Sequence, residues 1–151
     1  MVRTILLFAM LAGVAFAQKP VEFGEAVIHV GICPLNVQVA DTEPARELGL
    51  MKRDSVLPWD GMLFVFQEPR AVAFWMKDTR MPLDVGYFDK NGELCEIYPL
   101  EPLNTTPVKS IHDDIGYALE LPRGDFERWG LKIGQKLTIG GDWSSDKSVL
   151  K

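Results

Sequence analysis

The stretch that decides the fold is VGYFDKNGELCEIYP, residues 85–99. Two runs rich in β-branched and aromatic residues, 85–88 and 93–99, flank the polar segment Asp-Lys-Asn-Gly. An Asn-Gly pair tolerates the positive φ angles of a type I′ turn, which joins adjacent antiparallel strands. The stretch therefore predicts a β-hairpin, and it is the strongest local signal in the chain.

The residues before this hairpin continue the strand pattern. The runs GMLFVF (61–66) and AVAFWM (71–76) are joined by the four residues QEPR, a length that suits a hairpin loop. In the first run Met62, Phe64 and Phe66 point one way and Leu63 and Val65 the other. Because both faces are apolar, this hairpin is predicted to lie inside a sandwich or a closed barrel.

Helical signals are few. Residues 26–40 predict two short strands around Cys33-Pro34, and the next segment, DTEPARELG, predicts a short helix over 44–48. A second helical turn is expected over 124–130, and a polar connection of residues 101–116 is expected to be a lid-like or mobile loop. Many short strands with little helix predict a mainly β fold, a single-domain sandwich or barrel-like structure with one or two short helices.

The chain ends suggest export. Residues 1–17 combine Arg3, an apolar run of residues 5–16 and a small-residue site at Ala15-Phe16-Ala17, which is typical of a cleaved signal peptide. Twelve apolar residues fall short of the ~20 that a spanning helix needs, so no membrane span is expected after cleavage. The predicted organisation is a signal peptide (1–17), one β-rich domain (18–140) and a disordered tail (141–151) in a periplasmic or secreted protein.

Charge and metal-binding residues exclude several functions. The net charge is −5, and basic residues alternate with acids instead of forming the stripe that nucleic-acid binding requires, so nucleic acid is not expected as a partner. His29 and His112 are far apart and lie near no cysteine pair. No metal site and no cofactor are predicted.

The chain has two cysteines, Cys33 and Cys95. In an exported chain they could form a disulfide, which is the first interpretation. The alternative is a pair of buried thiols that act as small apolar side chains. The sequence leaves both open.

Several motifs together resemble one known family. RELGLMKR, LPWDGMLFVF, FWMKDTRMPLDVGYFDKNG, YALELPRG and GLKIGQK occur in the order typical of the domain-of-unknown-function 192 family, over residues 40–137. The resemblance implies a mainly β sandwich fold and no established activity. In this family the FWM motif usually continues Lys-Asn-Thr, whereas this chain has Asp78 at the second position. An ionised acid there accepts hydrogen bonds but does not donate them.

The FWMKDTRMPLD stretch (74–84) also contains the candidate site. Trp75, with Trp59 from the preceding loop, could offer aromatic surface beside three polar residues, Asp60, Asp78 and Thr79. That combination suits a small polar ligand such as a sugar. The alternative is structural: Trp75 fills a second core layer, Thr79 caps a turn, and Asp60 forms the turn before Gly61.

Glu120 is the remaining residue of interest, because it alternates with Leu119 and Leu121 in a predicted strand. Either it faces solvent or it is buried in an ion pair with Arg46 or Arg53, and we favour the ion pair. Three functions remain open: a small-ligand-binding or accessory domain, possibly glycan-binding; a carboxylate-dependent hydrolase; and a module that binds an envelope protein. Binding is favoured over catalysis, because no nucleophile motif occurs.

Overall fold

A computed structural model describes residues 19–140 of the chain. Within this range the chain forms nine strands and two short helices. In chain order they are β1 (Gly24–Val30), β2 (Cys33–Ala40), α1 (Glu43–Leu48), β3 (Gly61–Arg70), β4 (Ala73–Phe74), β5 (Leu83–Asp89), β6 (Leu94–Leu100), β7 (Val108–Lys109), β8 (Ile115–Pro122), α2 (Asp125–Arg128) and β9 (Leu137–Gly140). The predicted signal peptide and the predicted disordered tail lie outside the described residues.

Seven strands form one curled sheet, a half barrel, in the order β6-β5-β8-β3-β2-β1-β9. Neighbouring strands are antiparallel except β2 and β3, which run parallel with Val37 opposite Gly61. The sheet curls far enough that the beginnings of its two edge strands touch: Leu94 N donates to Gln135 O (2.9 Å) and Leu137 N to Gly92 O (2.8 Å). The prediction of a mainly β, barrel-like fold with two short helices is confirmed.

The hairpin predicted from residues 85–99 is formed by β5 and β6, with Val85 opposite Tyr98. Its turn is not type I′, because Gly92 has a positive φ (76°) and Asn91 does not. Gly92 N donates to Asp89 O (3.0 Å), and the Asp89 carboxylate accepts the N–H groups of Asn91 and Glu93. The Asp89 side chain therefore stabilises a turn in which only the last residue is left-handed.

The second predicted hairpin is wrong. β3 runs without interruption from Gly61 to Arg70, through the segment that was expected to be a loop. It pairs with β2 and β8, while β4 pairs with β7 in a separate two-stranded sheet. The register of β3 against β8 shifts between Val65 and Arg70, and this irregularity carries the polar residues outward.

Both faces of the first half of β3 are buried, as the alternating pattern of residues 61–66 predicts. Met62 and Phe64 belong to one core cluster, which α1 and β4 help to cover. Leu63 belongs to a second cluster on the other face, which includes Phe126 of α2. The sheet thus has apolar packing on both sides, and the candidate site lies over the first face.

Helix α1 follows the predicted boundaries. Thr42 Oγ1 accepts the Ala45 N–H (3.3 Å), Pro44 occupies the first turn, and Gly49 ends the helix with a positive φ of 48°. The predicted second helical turn is α2. Helix α1 is short because glycine follows its sixth residue, and the chain then passes over the first core face.

Residues 101–116 are not a free lid. Met76 N donates to Asn104 O (2.8 Å) and Leu103 N to Thr79 O (2.9 Å), while β7 pairs with β4. The segment was expected to be lid-like or mobile because its sequence is polar. It is instead held by backbone hydrogen bonds to residues that are distant in sequence.

The predicted disulfide is absent, since Cys33 and Cys95 are both free thiols. Cys33 begins β2 and Cys95 lies in β6, and these two strands are not neighbours in the sheet. A disulfide requires Cβ atoms about 3.5–4.5 Å apart. The alternative interpretation, two partly buried thiols, describes the structure.

Candidate functional site

A cleft of about 570 Å³ lies over the first core face. One wall is formed by α1 and the residues that follow it, and the other by the end of β3, the β3–β4 connection and β4. Glu120 of β8 lies among mainly apolar and aromatic lining residues. The apolar lining side chains are Leu48, Leu50, Met51, Phe64, Phe66, Val72, Phe74 and Trp75.

Register places Glu120 at the centre of the sheet. It lies opposite Met62 of β3 on one side and Val85 of β5 on the other. Both neighbours are fully buried, and Glu120 itself is only 4% exposed. An acid in this position interrupts an otherwise apolar surface.

Burial raises the pKa of Glu120 to about 8. No described side chain or backbone group donates a hydrogen bond to its carboxyl, and none of the ion pairs within residues 19–140 includes it. The predicted ion pair with Arg46 or Arg53 is therefore wrong. A carboxyl without a partner avoids the cost of a buried charge by keeping its proton.

Arg46 does not pair with Glu120 because its donors have other acceptors. Its Nη1 donates to Asp41 O (2.7 Å) and Val65 O (2.9 Å), and its Nη2 to the Glu43 carboxylate (2.8 Å). These bonds fix α1 against the end of β2 and against β3. The Arg46 Nε atom is buried and has no hydrogen-bond partner.

Arg53 likewise has other partners. Its Nη1 donates to the Gln38 side chain, and its guanidinium lies over the Phe23 ring, 5.0 Å from the centroid. Gln38 is buried on β2, so this pair satisfies a buried amide. The sequence singled out Glu120, Arg46 and Arg53, but it did not identify the groups with which the two arginines pair.

A second cleft of about 560 Å³ contains Trp59 and Asp60. Trp129 and Arg123 from the chain around α2 also line it. The Asp60 carboxylate accepts the Asn36 N–H (2.7 Å), which ties the turn before β3 to β2. Asp60 therefore has the turn role that the sequence offered as an alternative.

The five residues of the predicted ligand site are not brought together. Trp75 and Thr79 line the cleft over the first core face, which we call the α1 cleft. Trp59 and Asp60 line the second cleft, and Asp78 lines neither. Trp75 is 49% exposed, so it is not part of a second core layer, whereas Thr79 is buried and its hydroxyl donates to Lys77 O. A ligand-binding role for these residues stays a prediction.

One polar cluster was not predicted. Glu96 on β6 is buried, and its carboxylate accepts the N–H groups of Ile111 and His112, the Tyr98 hydroxyl and the His112 ring at Nδ1 (2.6 Å). Although burial acts to raise the pKa of Glu96, these hydrogen bonds lower it to about 2, and the contact with Glu96 raises the pKa of His112. Glu96 and Tyr98, two residues apart in one strand, were the available signal, but His112 is too distant in sequence to be paired with them by inspection.

Residues 19–140 contain no group of three or more His, Cys, Asp or Glu side chains arranged to hold a metal ion. No helix in the same range has the length and apolar character to cross a membrane.

The fold and the cleft define a small half-barrel β protein with a partly apolar cleft over one face of its sheet. The chain belongs to the DUF192 family, whose model, described as "Uncharacterized ACR", matches residues 27–139. The resemblance seen in the sequence motifs is thus confirmed. Among curated proteins, none matches the chain significantly.

Two crystal structures are similar to this chain. A Sinorhizobium meliloti 1021 protein, provisionally described as a transcription regulator, is 31% identical with a TM-score of 0.74, and the match covers 80% of this chain and 98% of that one. A Novosphingobium aromaticivorans protein of unknown function is 25% identical with a TM-score of 0.68, over 77% of this chain and 84% of that one. These structures share the fold.

Proposed function

We propose that this protein is an exported small-ligand-binding domain and that the α1 cleft is its binding site. The observation that carries the proposal is Glu120, a buried carboxyl with no hydrogen-bond partner among the described residues, lining a largely apolar cleft. Ligand sites typically combine an apolar lining with a few polar groups that orient the ligand. The volume of about 570 Å³ falls in the usual range for such sites.

Trp75 supports the same proposal from the mouth of the cleft. A half-exposed indole contributes little to folding, yet it offers a large flat surface for stacking. The exposed side chain of Trp75 and the buried carboxyl of Glu120 would then contact the apolar and polar ends of one ligand.

A thermal-shift screen of small molecules on the mature domain tests the proposal. A ligand present at a hundred times its dissociation constant should stabilise the fold by about 2.7 kcal/mol. Trp75→Ala should remove this shift while costing well below the ~3–5 kcal/mol of truncating a buried aromatic side chain. Trp59→Ala, in the second cleft, is the matched control and should keep the shift. A ligand whose shift depends on Trp59 and not on Trp75 would place the site in the second cleft.

Export is proposed from the amino-terminal residues alone. Intact-mass measurement on protein from its native host should show a chain that begins at Gln18. A chain that retains residues 1–17 in the membrane fraction would contradict export by cleavage.

A carboxylate-dependent hydrolase is the second candidate, favoured by one pair of acids that line the same cleft. Burial raises the pKa of Glu120, whereas the hydrogen bond from Arg46 lowers the pKa of Glu43. One protonated and one ionised carboxyl are what acid–base catalysis uses. Chromogenic glycosides assayed against the wild-type protein and Glu120→Gln would reveal such an activity, and equal turnover by both would exclude Glu120 as the acid.

Binding to an envelope protein, the third function that the sequence leaves open, stays a prediction. Nucleic acid is not expected, although the Sinorhizobium protein carries a regulatory description. Here 21 Asp and Glu residues outnumber 16 Lys and Arg residues, which disfavours attraction to a phosphate backbone.

A further inference from the structure

The surroundings of Glu120 narrow the class of ligand that the α1 cleft would take. We propose that this ligand is an organic cation, an apolar molecule whose protonated amino group pairs with the Glu120 carboxylate. The inference rests on the proposed function, because it concerns the same cleft.

The first argument is the missing partner of Glu120. Its side chain is only 4% exposed and has no hydrogen bond within residues 19–140, yet its oxygens are not fully enclosed, because Arg46 Nε is the only fully enclosed side-chain polar atom without a partner in that range. Buried polar groups are nearly always satisfied, so a carboxyl that faces a cleft and bonds to no protein group points to a partner supplied from outside the chain. An ammonium group supplies N–H donors and the opposite charge together.

The aromatic lining is the second argument. Phe64, Phe66, Phe74 and Trp75 all line the cleft, and the faces of such rings attract cations. Cations of the protein already occupy positions over two of them. Arg70 lies 5.2 Å and Arg46 5.9 Å from the Phe66 centroid, and Lys77 lies 5.6 Å from that of Trp75.

Charge balance is the third argument. Arg46 is largely committed to two carbonyls and to Glu43, so of the two lining bases Arg70 alone is exposed at the mouth. A bound cation would gain an opposite charge when Glu120 ionises, whereas a bound anion would not. The titratable groups that line the same cleft are Glu43, Arg46 and Glu47 of α1 and Arg70 of β3, and Tyr87 of β5 interacts electrostatically with Glu120.

Binding of an ammonium group changes the protonation state of Glu120. Burial raises the pKa of Glu120 to about 8, so the carboxyl of the free protein holds its proton at neutral pH. When the ammonium group binds, Glu120 ionises and its proton passes to the buffer, while the amine keeps its own. Binding therefore releases up to one proton per ligand.

Titration calorimetry with three probes of one shape tests the inference. These are 2-phenylethylamine, 2-phenylethanol and 3-phenylpropionate, which present a cation, a neutral hydroxyl and an anion on the same ring. At neutral pH the amine should bind roughly tenfold more tightly than either of the others. Its heat should vary with the ionisation enthalpy of the buffer, as proton release requires.

Two variants test whether Glu120 causes the preference for the amine. Glu120→Gln should remove both the preference for the amine and the buffer dependence, whereas Glu47→Gln, at another acid of the same cleft, should keep both. If Glu120→Gln does not fold, the buffer dependence of the wild-type protein still decides the question.

The outcomes separate this inference from the proposed function. Should the alcohol or the propionate bind as tightly as the amine, the cation class is wrong, and the cleft remains a binding site. Absence of amine binding at millimolar concentration also overturns the inference. The proposed function fails only if, in addition, the broad screen finds no ligand whose effect depends on Trp75.

Discussion

Glu120 is kept in its protonated form by burial, since no basic side chain among the described residues reaches its carboxyl. The unfolded chain would lose this proton near the ordinary pKa of a glutamate, whereas the folded chain keeps it up to about pH 8. Between these two values the folded state binds more protons than the unfolded state. The free energy of unfolding should therefore fall as the pH rises.

Glu120→Gln should remove this pH dependence. The variant cannot ionise at this position, so at pH 9 it should be more stable than the wild-type protein by up to several kcal/mol. At pH 4 both proteins carry a neutral side chain there, and their stabilities should be similar. Urea unfolding at both pH values measures this difference. Equal stability of the two proteins at pH 9 would contradict a buried, unpaired carboxyl.

Asp78 shows how a single residue can depart from a family motif without disturbing the backbone. Its φ of 52° is left-handed, and its carbonyl accepts the Lys52 N–H (2.8 Å). Asp and Asn both tolerate this conformation better than most residues, which explains why either type fits the position. The side chain is exposed and lines neither cleft, so the structure gives the acid no further role.

At the scale of elements, one acid joins strand β6 to the segment before β8. The Glu96 carboxylate accepts two consecutive backbone N–H groups, those of Ile111 and His112. Because the pKa of Glu96 is lowered to about 2, its contribution is complete above the ordinary glutamate range and is lost as the pH falls toward 2. The pKa of His112 is raised, so the contribution of its charged form is lost as the pH rises above that raised value.

Glu96→Ala should loosen the chain at Ile111 and His112 while leaving the sheet intact. Two backbone N–H groups would lose their charged acceptor, at a cost of about 1–3 kcal/mol. Hydrogen exchange should accelerate at the amides of Ile111 and His112 but not in β5. Tyr98→Phe, which removes one donor to the same carboxylate, is the milder control. Unchanged protection of the Ile111 and His112 amides in Glu96→Ala would show that this contact does not hold the segment.

At the scale of the whole molecule, hydrogen bonds and no disulfide connect the beginnings of the two edge strands of the half barrel. Leu94 and Leu137 lie at the beginnings of β6 and β9 and donate across the join. Burial raises the pKa of the Cys33 and Cys95 thiols, and nearby acids act in the same direction. Both cysteines should therefore react slowly.

A reductant should leave the melting temperature unchanged, because no disulfide contributes to the fold. Alkylation after unfolding without a reductant should modify both cysteines, as intact mass would show. A marked drop in melting temperature on reduction, together with unreactive cysteines, would instead indicate the bridge that the sequence first suggested.

Much of the fold could be predicted from local pattern. Alternation along residues 61–66 identified a strand buried on both faces, the Asn-Gly pair located the β5–β6 hairpin, and Pro44 and Gly49 delimited α1. These features depend on φ preferences and on the two-residue period of a strand, which act between near neighbours. Prediction failed where a strand pairs with a segment distant in sequence: β4 pairs with β7 and not with β3.

The sequence by itself determined the family, the mainly β class and the choice of Glu120 and Trp75 as residues of interest. Only the tertiary structure decided what surrounds them. Trp59 and Trp75 lie in different clefts, Arg46 bonds to carbonyls, and Glu120 is left without a partner among the described residues. Residue types and spacing determine which side chains share a face. The curl of the sheet and the path of the chain after α1 determine which faces meet. Both the curl and the path depend on packing across the whole chain.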